Sequence, residues 1–404
     1  MADVLLRAPA RAEFARVALR VAAVYLLARV VTTGFLLLAS MLAVPQSRFG
    51  ADPTIGSFVM GWDAEWYSFI AGHGYPSELP RGDDGRVTTN QWAFMPLYPM
   101  IAGLVGAPFG QYAVGALGVS LVAGYLSALV LFHLLRPRLD ETTTMWAVVF
   151  FVSGPLAALF QVGYAESLFL LWLFCALWCV TRRRYAWLYL LIPLMGYTRP
   201  GVLAFSLFLA LFGVWRWFSR RREALAAVEV VHIVALGLLA AVVGFSWQYI
   251  AGVVTGEPDA YLETELSWRR AWTGESGGFV PFDGFVRASA IWFRLWGQPE
   301  WAGYVALGLV LVAVAALLLF APAVRRLGVE LRLWSVSYLV YLLAVFFPQS
   351  SLFRLLVPVS PLFGALAVPR STAWRVGVLM ACLAGQWWWI YSMYALANTY
   401  YQIP

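Results

Sequence analysis

Lysine is missing from this 404-residue chain, whose 28 basic residues are all arginine. Charge of either sign is sparse at 12%, and cysteine and histidine contribute three residues each. Each scarcity removes a class of function. Cys175 and Cys179 sit one helical turn apart in one apolar run and Cys382 lies in another, which suits small buried hydrophobes rather than a disulfide framework or a zinc set. There is no Walker loop, no G-x-G-x-x-G fingerprint opening a helix, and no polar stretch long enough for a soluble nucleotide-binding domain. Segments of about ten alternating residues, the mark of an outer-membrane barrel, are also lacking.

What is abundant is apolar surface. The chain is 62% hydrophobic, and apolar runs of twenty or more residues recur. That composition excludes an ordinary soluble domain and predicts an all-α, polytopic transmembrane protein. The first run, Val17 to Val44, follows a basic arm and is long enough to stay as a span rather than be cleaved.

The arginines fall at alternate ends of these runs: Arg7, Arg11 and Arg16, then Arg136 and Arg138, Arg182 to Arg184, Arg216 and Arg220 to Arg222, Arg325, Arg326 and Arg332, and Arg370 with Arg375. The positive-inside rule makes those ends cytoplasmic, so the basic balance reflects topology and no nucleic-acid partner is expected. Most acids lie in the other loops, including Asp63, Glu65, Asp83, Asp84, Glu166, Glu257, Asp259, Glu263 and Glu265. About eleven spans result, with the N-terminus inside and the C-terminus outside, in a single integral domain covering 1–404. Two long outer loops, 45–112 and 255–300, are expected to carry short interfacial helices such as Phe285 to Trp296. Phe94 to Phe109 is apolar but interrupted by Pro96, Pro99 and Pro108, so it reads as re-entrant or interfacial. Leu355 to Val368 reads as a returning span. The all-arginine bias fits a GC-rich bacterial genome, which makes the plasma membrane the expected location.

The chemistry concentrates in Gly61-Trp62-Asp63-Ala64-Glu65-Trp66-Tyr67, beyond the first span. An ionisable group near hydrocarbon is unfavourable by roughly 2.5 to 3.5 kcal/mol at a helix centre, so two of them beside a membrane face suggest function. Asp63 is the candidate general base, and the rings of Trp66 and Tyr67 suit the interface and stacking against sugars. The plainer alternative for those rings is an aromatic belt. Arg199, in Thr198-Arg199-Pro200-Gly201, and Arg354 sit where apolar runs meet the outer side and are candidates for phosphate oxygens; the alternatives are snorkelling or pairing with Glu166. His73 follows Asp63 by ten residues and is a candidate substrate contact or simply a solvated loop histidine. Gly82-Asp83-Asp84-Gly85 reads first as a turn. No residues show metal-ligand spacing, although Asp63, Glu65 and Glu166 are free to converge in the fold. With no nucleotide fold present, an activated donor is expected to be carried by a lipid.

These blocks resemble the PIG-V-like mannosyltransferases of the GT-C glycosyltransferase class. The similar pieces are Trp62 to Tyr67 with Ile70-Ala71 and Gly74-Tyr75, then Phe94-Met95-Pro96-Leu97-Tyr98-Pro99, Tyr164-Ala165-Glu166-Ser167-Leu168-Phe169, Thr198-Arg199-Pro200, and Arg354 with Pro358 and Pro361. The resemblance runs over nearly the whole chain, and its specificity lies in the combination. It implies an inverting transfer of mannose from a polyprenyl-phosphate-mannose donor to a glycolipid or glycan acceptor on the outer side. It also implies that Asp63 is the base and that Tyr98, Tyr164, Glu166 and Arg199 line the pocket, with Glu65 an undecided neighbour. No cofactor is expected and no metal is required, although a divalent cation is compatible with the chemistry. The competing readings are a transferase of another lipid-linked sugar or with a protein acceptor, a lipid or sugar transporter, and a non-catalytic assembly subunit.

Overall fold

The computed structural model describes residues 7–274 and 277–398. The side chains of Arg7 and Arg11 and the expected outer C-terminal tail after 398 lie outside the described residues. Helix is the only extended regular structure among those described, β-pairing being limited to one bridge between Arg81 and Val87.

The helices run, in order, α1 Arg7–Met41, α2 Ile55–Val59, α3 Asp63–His73, α4 Leu97–Gly106, α5 Tyr112–Leu135, α6 Glu141–Val152, α7 Glu166–Thr181, α8 Leu188–Gly196, α9 Val202–Ser219 and α10 Ala227–Thr255. They continue as α11 Ala260–Thr273, α12 Asp283–Leu295, α13 Glu300–Phe320, α14 Pro322–Arg326, α15 Val329–Val345, α16 Leu352–Leu355, α17 Phe363–Ala367 and α18 Thr372–Ile390.

Five described helices are long and apolar enough to cross a bilayer alone: Ala12–Met41 within α1, then α5, α9, α10 and α13. Four other apolar segments of the expected eleven are shorter or broken helices, at Glu141–Val152, Glu166–Thr181, Tyr185–Gly196 and Val357–Ala367, while α15 and α18 are continuous helices of 17 and 19 residues. α13 shows why lipid is the solvent, since of its 21 residues only Gly303 and Leu318 are buried while Leu309, Val312 and Phe320 stand more than half exposed. Leaving such a stripe in water forfeits roughly 25 cal/mol per Å² of apolar surface, whereas hydrocarbon accepts it. The chain is an integral membrane protein.

α5 and α7 pack side by side, and Ser127 Oγ donates to the Ser167 carbonyl at 3.2 Å across the contact. Arg29, buried on α1, donates to the Val152 and Ala157 carbonyls at 2.6 and 2.5 Å, so one guanidinium satisfies the open end of α6 and ties it to α1. α9 meets α15 through Phe205 and Phe208, whose rings lie 5.9 and 6.2 Å from Trp334.

Two proline-broken segments behave differently. Residues 94–109 form α4 and a 3-10 turn, Ala107–Phe109, laid against α5. At ten residues α4 is about 15 Å long, half a hydrocarbon core, so it does not cross. The approach is close enough that a Cβ on Gly115 would stand 2.0 Å from the Ala102 carbonyl oxygen. Leu355 to Val368, expected as one returning span, is instead α16, a 3-10 run from Val357–Leu362, and α17. Pro358 and Pro361 explain the correction, because each removes an N–H and resists a continuous i to i+4 ladder. The segment expected to form a short helix, Phe285 to Trp296, is helical as α12, an amphipathic helix burying Gly284, Ala288 and Ala290.

Candidate active site

Asp63 opens α3, and the residue before it is strained. Trp62 has φ +57° and ψ −121°, a conformation that disfavours any side chain. Three contacts hold it there. The indole N–H donates to the Met393 carbonyl at 3.0 Å, Arg48 lies 5.0 Å over the ring, and Phe49 meets it edge-on at 6.1 Å. Met393 belongs to a π-helical turn, Tyr391–Ala395, continuing α18. Such turns redirect backbone groups that an α-helix would consume. The strained peptide turns the chain sharply into α3, whose first carboxylate then faces the interior.

Facing it is the turn that carries Tyr164 and starts α7 at Glu166. Gly163 lets this turn touch the start of α3: its N–H donates to the Val59 carbonyl at 2.9 Å, and a Cβ there would meet that oxygen at 2.9 Å and Ala64 Cβ at 3.0 Å. Arg199 arrives from the turn after α8, where Pro200 ends the helix and Gly201 takes φ +139°. The Leu97 N–H donates to the Tyr197 carbonyl at 2.9 Å and ties the two proline-containing turns together. Arg354 comes from the single turn of α16.

These four side chains, far apart in sequence, form one charged network. Arg354 Nη1 donates to Asp63 Oδ2 at 2.6 Å. Its Nε lies 3.3 Å from Glu166 Oε1, which Arg199 Nη2 approaches at 3.5 Å. Glu166 is nearly sealed at 3% side-chain exposure, and Asp63 is the most accessible of the four at 22%. The Arg354 guanidinium also sits 5.2 Å over the Tyr164 ring. Burial pushes the Asp63 carboxyl above the usual carboxylate range and Glu166 adds to this, while Arg354 and Arg199 pull it down. For Arg354, burial opposes the charge but Asp63 and Glu166 outweigh it and hold the guanidinium firmly protonated.

The aromatic residues of the run form a wall beside this network. Trp66 stacks on Phe94 at 5.7 Å and meets Trp268 of α11 edge-on at 5.5 Å. Tyr67 is buried against Phe94 and Tyr98, and burial followed by the charges of Asp63 and Glu166 drives its phenol well above the ordinary value. Tyr98 is fully buried, its hydroxyl donating to the Ala116 carbonyl at 3.1 Å and lying 3.0 Å from Ser120, whose own hydroxyl donates to the Tyr164 carbonyl. Tyr98 thus supports the turn that places Glu166.

Glu65 and His73 stand apart from the network. Glu65 is exposed and paired with Arg48 at 2.5 Å, and His73 is exposed and stacked on Phe69 at 4.5 Å. The reason is helical geometry, since a residue two positions beyond Asp63 points about 200° away from it. Glu65 therefore does not converge with Asp63 and Glu166. Among the described residues no group of three or more His, Cys, Asp or Glu side chains is arranged to hold a metal ion.

Other residues join the site without having been singled out by the sequence. Arg48 holds Trp62, and its signal was its isolation on the expected outer side. Trp268 carries a buried indole N–H with no hydrogen-bond partner among the described residues. On the same helix Glu265 stands against Tyr261, and burial pushes its carboxyl up to about 7.

No protein-family model matches the chain, and no curated protein gives a significant match. Solved structures do match, among them ArnT from Cupriavidus metallidurans bound to undecaprenyl phosphate, with a TM-score of 0.48 and 16% identity over 89% of this chain. The chain spans 62% of the length of that structure.

Proposed function

We propose that this protein is an inverting glycosyltransferase of the GT-C type, taking a sugar from a polyprenyl-phosphate carrier. The observation that carries the reading is the Asp63–Arg354–Glu166–Arg199 network, in which the most accessible member is a carboxylate of raised pKa bridged to a guanidinium. That pairing supplies the two things a displacement at an anomeric carbon needs, a base for the incoming hydroxyl and a cation for the departing phosphate. The whole chain, 1–404, acts as one unit in this reading.

In the reaction an acceptor hydroxyl gives its proton to Asp63 as its oxygen bonds to the anomeric carbon. The bond from that carbon to the phosphate oxygen breaks, and polyprenyl phosphate leaves with the electron pair. Arg354 receives the developing phosphate charge, with Arg199 behind it. Glu166, sealed between the two arginines, helps keep Arg354 charged and spaces the pair. Donor binding draws Arg354 from Asp63 toward phosphate, which frees the carboxylate and strengthens it as a base when the sugar is in place. One displacement on a β-linked donor gives an α-linked product. The carrier's hydrocarbon lies against the spans, gaining about 0.8 kcal/mol per buried CH₂.

The proposed sugar is mannose and the acceptor a glycolipid or glycan; this finer reading rests on the resemblance of the Trp62 to Tyr67, Tyr164 to Phe169 and Thr198 to Pro200 blocks. The arginine distribution supports an outward-facing site in the bacterial plasma membrane with a cytoplasmic N-terminus. Purified protein in lipid vesicles, given radiolabelled polyprenyl-phosphate-mannose and a membrane extract as acceptor, should form labelled product, and Asp63→Asn should abolish it. Turnover with a sugar nucleotide alone, or equal turnover by the variant, would overturn the assignment.

A further inference from the structure

α3 has two working faces. Asp63 and Tyr67 point toward the charged network, while Glu65, Ser68, Phe69 and His73 occupy the opposite side at helical spacing. That second side, with Arg48 and Ser57, lines an open groove of about 630 Å³. Its size falls within the roughly 300 to 1,000 Å³ of small-ligand sites.

The lining chemistry narrows the ligand. Arg48 is the groove's one guanidinium, and Glu65 neutralises it at 2.5 Å, so an anion finds no unpaired cation on these walls. Five of the eight lining residues are polar or charged, Arg48, Ser57, Glu65, Ser68 and His73, and they are set among the apolar surface of Phe49, Met60 and Phe69. The set offers guanidinium donors, carboxylate acceptors and hydroxyls that serve as either. Phe69 and His73 stack nearly parallel, at 4.5 Å and 24°, and Phe69 is 46% exposed. A flat aromatic platform beside interleaved donors and acceptors, with no net charge from the Arg48–Glu65 pair, is complementary to a neutral polyhydroxylated ring with one apolar face.

We infer that this groove is a saccharide subsite, separate from the Asp63 network, that holds a sugar unit of the acceptor while the reacting hydroxyl lies at Asp63. The subsite's place in the reaction rests on the transferase reading above. Its existence as a saccharide site does not.

The test uses the full chain in nanodiscs and a panel of manno-, gluco- and galacto-oligosaccharides of two to six units, with binding read by saturation-transfer NMR. At least one series should bind the wild type. Phe69→Leu, which keeps apolar bulk but removes the flat ring, should weaken that Kd roughly tenfold. Phe69→Trp should restore it. Equal binding by Phe69→Leu, or no binding of any series by the wild type, overturns the assignment. Donor consumption measured in parallel separates the two ideas. Turnover that depends on Asp63 together with binding indifferent to Phe69 removes only the groove. Binding that depends on Phe69, with no lipid-linked sugar consumed, removes only the transferase reading.

Discussion

Two buried networks join arginines to carboxylates in this protein, and they are completed to different degrees. At Arg216 the guanidinium is 1% exposed, and its nitrogens reach Glu229 at 2.9 and 3.2 Å, Glu223 at 2.9 Å and the Ala224 carbonyl at 2.9 Å. Tyr185 completes Glu229 with a further bond of 2.9 Å. At Arg354 one short bond to Asp63 is made, but the contacts through Glu166 are 3.3 and 3.5 Å, and the buried Arg354 Nε has no hydrogen-bond partner among the described residues. Buried polar groups are normally satisfied, so an unfinished network is the one with capacity for a ligand. The Arg216 set cross-braces α9 and α10; the Arg354 set keeps a buried donor without a partner among the described residues.

Breaking each network in turn should expose this difference. The largest effect is expected from Asp63→Asn, which should lower turnover about 10³- to 10⁴-fold while the melting temperature of the detergent-solubilised protein changes little. Arg354→Gln comes next, with a loss in kcat of about 10²- to 10³-fold read with the same labelled donor. The mirror-image result belongs to Arg216→Met, which leaves Glu229 buried without its partner. It should destabilise the fold by about 3 to 5 kcal/mol, seen as lost monodisperse yield, with surviving protein retaining kcat.

The acid side of the pH profile sharpens the contrast further. Only ionised Asp63 accepts a proton, and its pKa is raised, so kcat/KM should fall with decreasing pH at a point above the ordinary carboxylate range. Arg354 opposes that rise. Removing its charge in Arg354→Gln should therefore move the acid limb to still higher pH, and an unmoved limb would argue against Asp63 as the titrating base. The smallest effect is expected from Tyr98→Phe, which removes hydroxyl contacts to Ala116 and Ser120 and should cost about 1 kcal/mol of stability, with turnover within threefold of wild type.

The charged network was legible because its members are ionisable residues at the ends of apolar runs, where hydrophobic patterning gives them no packing role. Asp63, Glu166, Arg199 and Arg354 needed no structure to be nominated. Pairing of the two arginines with Glu166 was already an alternative in the sequence and is what the structure shows, whereas the contact between Asp63 and Arg354, which spans 291 positions, needed the fold. Glu65 and His73 illustrate what spacing hides: neighbours in sequence were separated by the turn of α3, and only the start of that helix, set by Trp62, decides which carboxylate faces inward. The break at Pro358 and Pro361 was written in the residues, yet hydropathy averaged across it. The π-turn at Tyr391–Ala395 has no composition signal, and its contact with the Trp62 indole spans 331 positions.

Gly163 has a mechanical corollary. With the turn before α7 hydrogen-bonded to Val59 at the end of α2 and packed close to Ala64 of α3, the segments that carry the two carboxylates are tied to each other. Arg354 stands on a separate mount, a one-turn helix that leads into a proline-interrupted run. Under the proposed mechanism, in which donor draws Arg354 away from Asp63, amide exchange on adding donor should change in 346–362 while 61–66 stays protected.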